Sequence, residues 1–343
     1  MTKILVYRFS AMGDVVLLLP VLKGVLAANR DVEMYFVTPS NFFPIFQNIE
    51  RLNLIDADLR GKHKGFFGLI QLFRKIRTEV NPDLVFDLHS VLRTFNLDIL
   101  FRITGCRVII FRKGTFRKML MIKSKLLKRL PNAVTRYSDA FVRAGFQINL
   151  PEPPLFPQRS TSAGFPDFMH KSIVIGIAPF AKHEQKIWGT SKIENLIVEI
   201  SKVYDASILL FGGGKVELEI LNQLSQKYPN CIVSANHFSF SDEIQVFSKL
   251  NVMISMDSAN MHLASMAGVP TISIWGATHP ALGFAPYKQP AENIIQYEGD
   301  KLSCRPCSVY GNKKCIYSDS IRCMEYIQVN TVFERIRRIL SVN

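Results

Sequence analysis

Short apolar runs with the length and β-branched character of buried strands recur along the whole chain, and stretches of helical spacing lie among them. This alternation limits the fold more than any other feature. A strand that runs parallel to its neighbour needs a crossover connection, usually a helix, so the pattern specifies parallel sheets covered by helices. In the first half, strands are expected at Ile4–Tyr7, Val32–Val37, Leu84–Leu88 and Val108–Phe111, with a helix from about Asp14 to Ala28 after the first. In the second half the series runs Ile173–Ala178, a helix near Ile193–Val203, Ser207–Phe211, a helix over Lys215–Lys227 and Cys231–Ser234. Val252–Ser255, a helix over Ala259–Ala267 and Thr271–Trp275 complete it. Between the halves, Pro151, Pro153, Pro154, Pro157, Gly164 and Pro166 break the pattern as a linker does. At 343 residues, two domains are expected. The reading is an α/β chain of two Rossmann-like domains facing a cleft. They span residues 1–155 and 172–327, with a linker at 156–171 and a closing helix at 328–343 that packs back toward the first domain.

No apolar run approaches the roughly 20 residues that span a bilayer; the longest, Val15–Leu22, is far shorter. The cations Lys3 and Arg8 flank a strand-like stretch with no small-residue cleavage site after it, so a cytoplasmic protein is expected.

Charge is uneven along the sequence. Residues 1–160 carry 25 Lys+Arg against 12 Asp+Glu, net +13, whereas 161–343 carry 17 against 16, net +1. From Phe101 to Gly145 the only acid is Asp139. Such a field attracts nucleic acid, anionic lipid or a phosphorylated or carboxylated glycan; the alternative is a solvated face without a ligand. The stretch has few interleaved aromatics and no standard nucleic-acid motif, which argues against nucleic acid and leaves a non-catalytic polyanion binder as the contrasting function.

Four loops have the residues for chemistry. In Arg8-Phe9-Ser10-Ala11-Met12-Gly13-Asp14, between the first strand and first helix, Gly13 allows a tight turn and Asp14 sits at the helix start. A carboxylate there serves equally as a helix cap or as a proton acceptor. Met256-Asp257-Ser258-Ala259-Asn260-Met261-His262 also follows a strand and opens a helix, where free N–H groups bind phosphate. Trp275-Gly276-Ala277-Thr278-His279-Pro280 has the same placement, and Phe211-Gly212-Gly213-Gly214 lets a ligand approach backbone. Lys186 precedes Trp188 in the loop after Ala178 and is, by itself, an ordinary solvated lysine.

Two further patterns stay open. Cys304, Cys307, Cys315 and Cys323 form C-x2-C-x7-C-x7-C, which suits a structural zinc or a plain thiol cluster, the second pair lacking the short spacing of a zinc ribbon. Asp56-Ala57-Asp58 reads D-x-D, a metal–diphosphate pattern of another transferase architecture, directly before the basic run Arg60 to Lys64.

Taken in order, these motifs resemble glycosyltransferase family 9, the ADP-heptose:lipopolysaccharide heptosyltransferases. The resemblance covers most of the chain. It rests on Ser10 to Asp14 (S-x-M-G-D), Asp87 to Thr94 (D-L-x-x-x-x-R-T), Lys186 to Trp188 (K-x-W), Asp257 to His262 (D-S-x-x-M-H), Gly268 to Pro270 (G-V-P), Gly276 to Pro280 (G-x-T-x-P) and the cysteine segment ending at Cys323-Met324. The chain departs from the family at Ala259 (usually Gly), Gly189 (usually Pro), Ala277 (usually Pro) and His279 (usually Asp).

The resemblance implies a GT-B fold and a metal-independent, inverting transfer of a heptose or related sugar from an ADP-sugar to an anionic lipopolysaccharide core acceptor, with no cofactor or bound metal. The same fold with another nucleotide sugar or acceptor is the near alternative. Asp14 is then the base and Lys186 the cation at the diphosphate. The donor contacts are Asp257, Ser258, Ala259, Asn260, Met261, His262, Gly212, Gly213, Gly276 and Thr278. The acceptor falls to the first domain, with Arg60, Lys62, Lys64, Arg93, Arg117 and Lys118 as contacts, and the basic face meets the anionic inner membrane peripherally.

Overall fold

The computed structural model describes residues 1–156, 166–299, 302–317 and 320–341; most of the expected linker, residues 157–165, lies outside them. The chain divides into two compact units, Met1–Gly114 with Pro131–Pro157, and Thr115–Leu130 with Gln158–Asn343.

In the first unit five strands, β1 (Thr2–Tyr7), β2 (Val32–Thr38), β3 (Leu52–Asp56), β4 (Leu84–Asp87) and β5 (Arg107–Ile110), form a sheet in the order β3-β2-β1-β4-β5. Every pairing is parallel. The central strands are buried apolar runs, as sheets covered on both faces require. Strand β3 was not legible in the sequence. Its residues Leu-Asn-Leu-Ile-Asp lie at an edge, half exposed, so no continuous apolar run marks them.

The expected helix after β1 is two helices, Met12–Val16 and Leu19–Ala28. Pro20 explains the break: it donates no N–H, and its ring would clash with the Val16 carbonyl in a continuous helix.

In the second unit β6 (Ile173–Ala178), β7 (Ala206–Leu210), β8 (Cys231–Val233), β9 (Val252–Met256), β10 (Thr271–Trp275) and β11 (Ile294–Gln296) form a parallel sheet ordered β11-β10-β9-β6-β7-β8. Strand β11, three residues at an edge, also went unread. The last helix is Val329–Leu340. It buries Val332, Phe333, Ile336 and Ile339 in the second unit's core.

Both sheets are doubly wound, and each has a switch point where strand order reverses: β1 beside β4 in the first, β6 beside β9 in the second. Loops beyond the carboxyl ends of such strand pairs are where ligands bind in open α/β sheets.

The helix Thr115–Ser124 and the residues after it belong to the second unit, although they interrupt the sequence of the first. Lys125 Nζ donates to the carbonyls of Cys304 at 2.7 Å and Pro306 at 2.9 Å, and the Leu130 amide donates to the Ala281 carbonyl at 2.9 Å. This stretch carries six cations, so the charge asymmetry between sequence halves does not survive as an asymmetry between units. The first holds 18 Lys+Arg against 12 acids and the second 24 against 16. No helix among the described residues is long and apolar enough to cross a membrane.

Candidate active site

In the first unit the loop after β1 folds around a buried arginine. Arg8 is 5% exposed; Nη2 meets Asp14 Oδ2 at 2.8 Å, and Nη1 donates to the Leu88 carbonyl at the end of β4. Tyr137 donates its hydroxyl to Asp14 Oδ1 at 3.4 Å while its ring lies 5.3 Å from the Arg8 guanidinium carbon. Asp14 is therefore not the helix cap. Ala11 holds that position without a side-chain bond, and Asp14, in the first turn, is oriented by two tertiary partners with its side chain 26% exposed.

Asp87, at the end of β4, has a different task. Its Oδ1 accepts the amides of His89 at 2.8 Å and Ser90 at 2.7 Å, and its Oδ2 accepts Thr94 Oγ1 at 2.8 Å. The two ends of the Asp87 to Thr94 motif thus touch and fix the loop that carries His89. His89 Nε2 stands 3.3 Å from Ser10 Oγ. Burial first, then the charges of Arg8 and Lys113, hold its pKa down at about 3, so the imidazole is neutral at physiological pH. Lys113 is likewise lowered, by burial and then by Arg8. Of the residues around Asp14, Arg8 and His89 lie within quoted motifs, whereas nothing local in the sequence marks Tyr137 or Lys113 for this site.

In the second unit, three loops at the carboxyl ends of β6, β9 and β10 meet at Asp257. Its Oδ2 lies 2.7 Å from Lys186 Nζ and accepts Thr278 Oγ1 at 2.6 Å. Lys186 also reaches the Asp257 carbonyl at 3.4 Å. Gly311, at φ +80°, packs on the lysine stem: a Cβ there would stand 2.6 Å from Lys186 Cε. Gly276 is equally constrained, since a Cβ would meet the Gln185 carbonyl at 2.7 Å.

The helix Ala259–Met266 opens at Ser258, whose hydroxyl faces Ser255 Oγ at 3.1 Å and does not cap the helix. Ser258, Ala259 and Asn260 are partly exposed, whereas Met261 and His262 are buried side chains. In the glycine loop the Gly213 amide donates to Glu217 Oε2 at 2.9 Å; a Cβ at Gly212 would stand 2.8 Å from Leu221, whereas nothing lies within 4 Å of one at Gly213.

His279 Nδ1 accepts the Ala281 amide at 3.0 Å. Burial, then Arg305, keeps its pKa at about 4, so as a neutral acceptor it does for the backbone what an aspartate would do. Arg305, not singled out from the sequence, donates to the carbonyls of Gly276, Tyr297, Trp275 and Thr278 and ties the β10 loop together.

Of the expected acceptor cations, Arg60, Lys62, Lys64 and Arg93 are exposed on the first unit. Arg117 and Lys118 lie in the second unit, and Lys118 is buried with Nζ 4.0 Å from the centre of the Phe284 ring. The D-x-D carboxylates are engaged by backbone: Asp56 accepts the Ser40 amide, and Asp58 those of Gly61 and Lys62. The four clustered cysteines line one cavity of about 10 Å³ with Gln185, Ala277, Lys313, Tyr317 and Ile321. Among the described residues no three His, Cys, Asp or Glu side chains stand where they would hold a metal.

Two doubly wound parallel sheets, each with polar loops at its switch point, define the GT-B class of fold. The profile of glycosyltransferase family 9 (heptosyltransferase) matches residues 70–314, so the chain belongs to that family. It is 27% identical over 173 residues to the lipooligosaccharide heptosyltransferase 2 of Campylobacter jejuni, a match covering 49% of this chain; it spans only about half, 51%, of that relative's length. Among solved structures it resembles a family 9 glycosyl transferase of Veillonella parvula, with TM-score 0.74 and 18% identity over 100% of this chain and 98% of that one. The E. coli heptosyltransferase WaaC with ADP gives 0.67 and 17%, covering 98% and 100%.

Proposed function

We propose that the protein transfers a heptose from an ADP-sugar to a hydroxyl of an anionic lipopolysaccharide core glycan, inverting the anomeric configuration. The observation that carries this reading is Asp14, a partly exposed carboxylate that is held by Arg8 and Tyr137 at a switch point and is not used as a helix cap. In the transfer, Asp14 takes the acceptor hydroxyl proton, the acceptor oxygen bonds to the anomeric carbon, and the bond from that carbon to the diphosphate breaks with its electron pair leaving on ADP. Lys186, oriented by Asp257, and the amides opening the helix Ala259–Met266 receive the charge that grows on the diphosphate. Family membership and the ADP bound to the E. coli WaaC structure support an ADP-sugar donor.

Exposed Arg60, Lys62, Lys64 and Arg93 suit the carboxylates and phosphates of a core glycan, with its lipid end in the membrane. The test is calorimetry with ADP, UDP and GDP, followed by mass spectrometry of core glycan from a strain lacking the gene. ADP preference and a core missing one heptose are expected. Preference for another nucleotide would sink the donor assignment, and an unchanged core the acceptor.

A further inference from the structure

The helix Thr115–Ser124 is inverted relative to an ordinary surface helix. It buries Lys118, 4% exposed, beside Met121, and displays Phe116 at 80%, Met119 at 60% and Leu120 at 55%. These three stand at i, i+3 and i+4 and so share one face. The chain just beyond adds Leu126 at 74% and Leu127 at 41%. Residues 115–130 carry six cations and no acid, and Arg117, Lys123, Lys128 and Arg129 are exposed among the apolar side chains. The segment is also fixed in place: Lys118 lies on Phe284, Lys125 grips two carbonyls of the cysteine segment, and Leu130 is tied to Ala281.

We propose that this face seats the protein on an anionic phospholipid bilayer, with Phe116, Met119, Leu120, Leu126 and Leu127 entering the headgroup–acyl boundary and the exposed cations meeting lipid phosphates. An apolar surface alone would fit a second copy equally well. Six cations and no acid in each copy oppose that pairing, whereas a negatively charged bilayer satisfies both the charge and the apolar side chains. The proposal goes beyond the transfer reaction and does not depend on it, because its test uses plain phospholipid with no sugar donor or acceptor.

The experiment is co-sedimentation of the full chain with vesicles of phosphatidylethanolamine and phosphatidylglycerol, against phosphatidylcholine alone, at 0.15 M salt. Two variants accompany it, Phe116→Ser/Met119→Ser/Leu120→Ser and Lys123→Gln/Lys128→Gln/Arg129→Gln. Each is checked for an unchanged melting temperature and unchanged ADP affinity. The wild type should bind the anionic vesicles and not the neutral ones. The serine variant should lose binding by roughly tenfold or more, and the glutamine variant by about fivefold per cation removed. Equal binding by the serine variant, or no preference for anionic lipid, would overturn the proposal. So would a wild type that ignores vesicles but runs as a dimer in light scattering, with the serine variant a monomer, since the face would then join two copies.

Discussion

Asp14 has its orientation from Arg8 in its own loop and from Tyr137, distant in sequence, and this decides how substitutions there should read out. Asp14→Asn keeps an acceptor for Arg8 and Tyr137 but removes the proton-accepting charge, so turnover should fall by roughly 10²- to 10⁴-fold with ADP affinity unchanged. Near-normal turnover in a single-cycle assay would remove Asp14 from the chemistry. His279 supports a second prediction. Its folded pKa, about 4, lies below its ordinary 6.5, so between those values the unfolded chain binds the extra proton. Its stability contribution is complete above about pH 6.5 and fades as pH falls toward 4. His279→Asp keeps an acceptor for the Ala281 amide and sets a negative charge beside Arg305. Its melting temperature should depend less on pH over that window, by about one proton. A melting curve parallel to the wild type at every pH would mean His279 titrates as an exposed residue.

At the scale of elements, sequence patterns are readable where a segment buries itself and unreadable where its environment is supplied by others. The interior strands β1, β6, β9 and β10 were legible because burial on both faces demands unbroken apolar runs. The edge strands β3 and β11 were not, since a half-exposed strand has no such run. The Lys186 loop depends on the cysteine segment in a way no spacing reveals: Gly311 lies against the lysine's methylenes in a left-handed conformation. Gly311→Ala should therefore push Lys186 off Asp257 and weaken ADP binding by about three- to tenfold, with Lys186→Ala giving a loss at least as large. Calorimetry checks both, and unchanged affinity in Gly311→Ala would show that the loop yields without moving the lysine.

For the whole molecule, sorting chain segments by unit places the final helix and changes the charge reading. The final helix belongs to the second core, with four apolar side chains buried there. Burial of each contributes about 1.5–3 kcal/mol, and the total rivals the ~5–15 kcal/mol stability of a domain. Deleting residues 329–343 should then abolish cooperative unfolding of the second unit and ADP binding with it; a truncated chain that binds ADP normally would contradict that packing. Charge is the reading that changes. Because Thr115–Leu130 brings its six cations to the second unit, both units are basic. The KM of both anionic substrates should rise between about 0.05 and 0.3 M salt, and not that of the acceptor alone.

The sequence by itself determined the two parallel sheets, the order of the loops at their carboxyl ends and the family, because strand burial, turn chemistry and motif order are local properties of the chain. It also singled out Asp14, Lys186, Asp257 and Thr278 as candidates. Only the tertiary structure decided what holds them: Arg8 and Tyr137 on Asp14, Gly311 and Asp257 on Lys186, Glu217 in the glycine loop. It alone moved Thr115–Leu130 and its buried Lys118 into the second unit. The pairings of Tyr137 with Asp14 and of Gly311 and Asp257 with Lys186 join residues tens to more than a hundred positions apart, and those of Arg8 with Asp14 and Glu217 with Gly213 close within one loop only in the conformation the fold gives it. Their energies depend on distances set by the folded chain, and nothing in the adjacent residues encodes them.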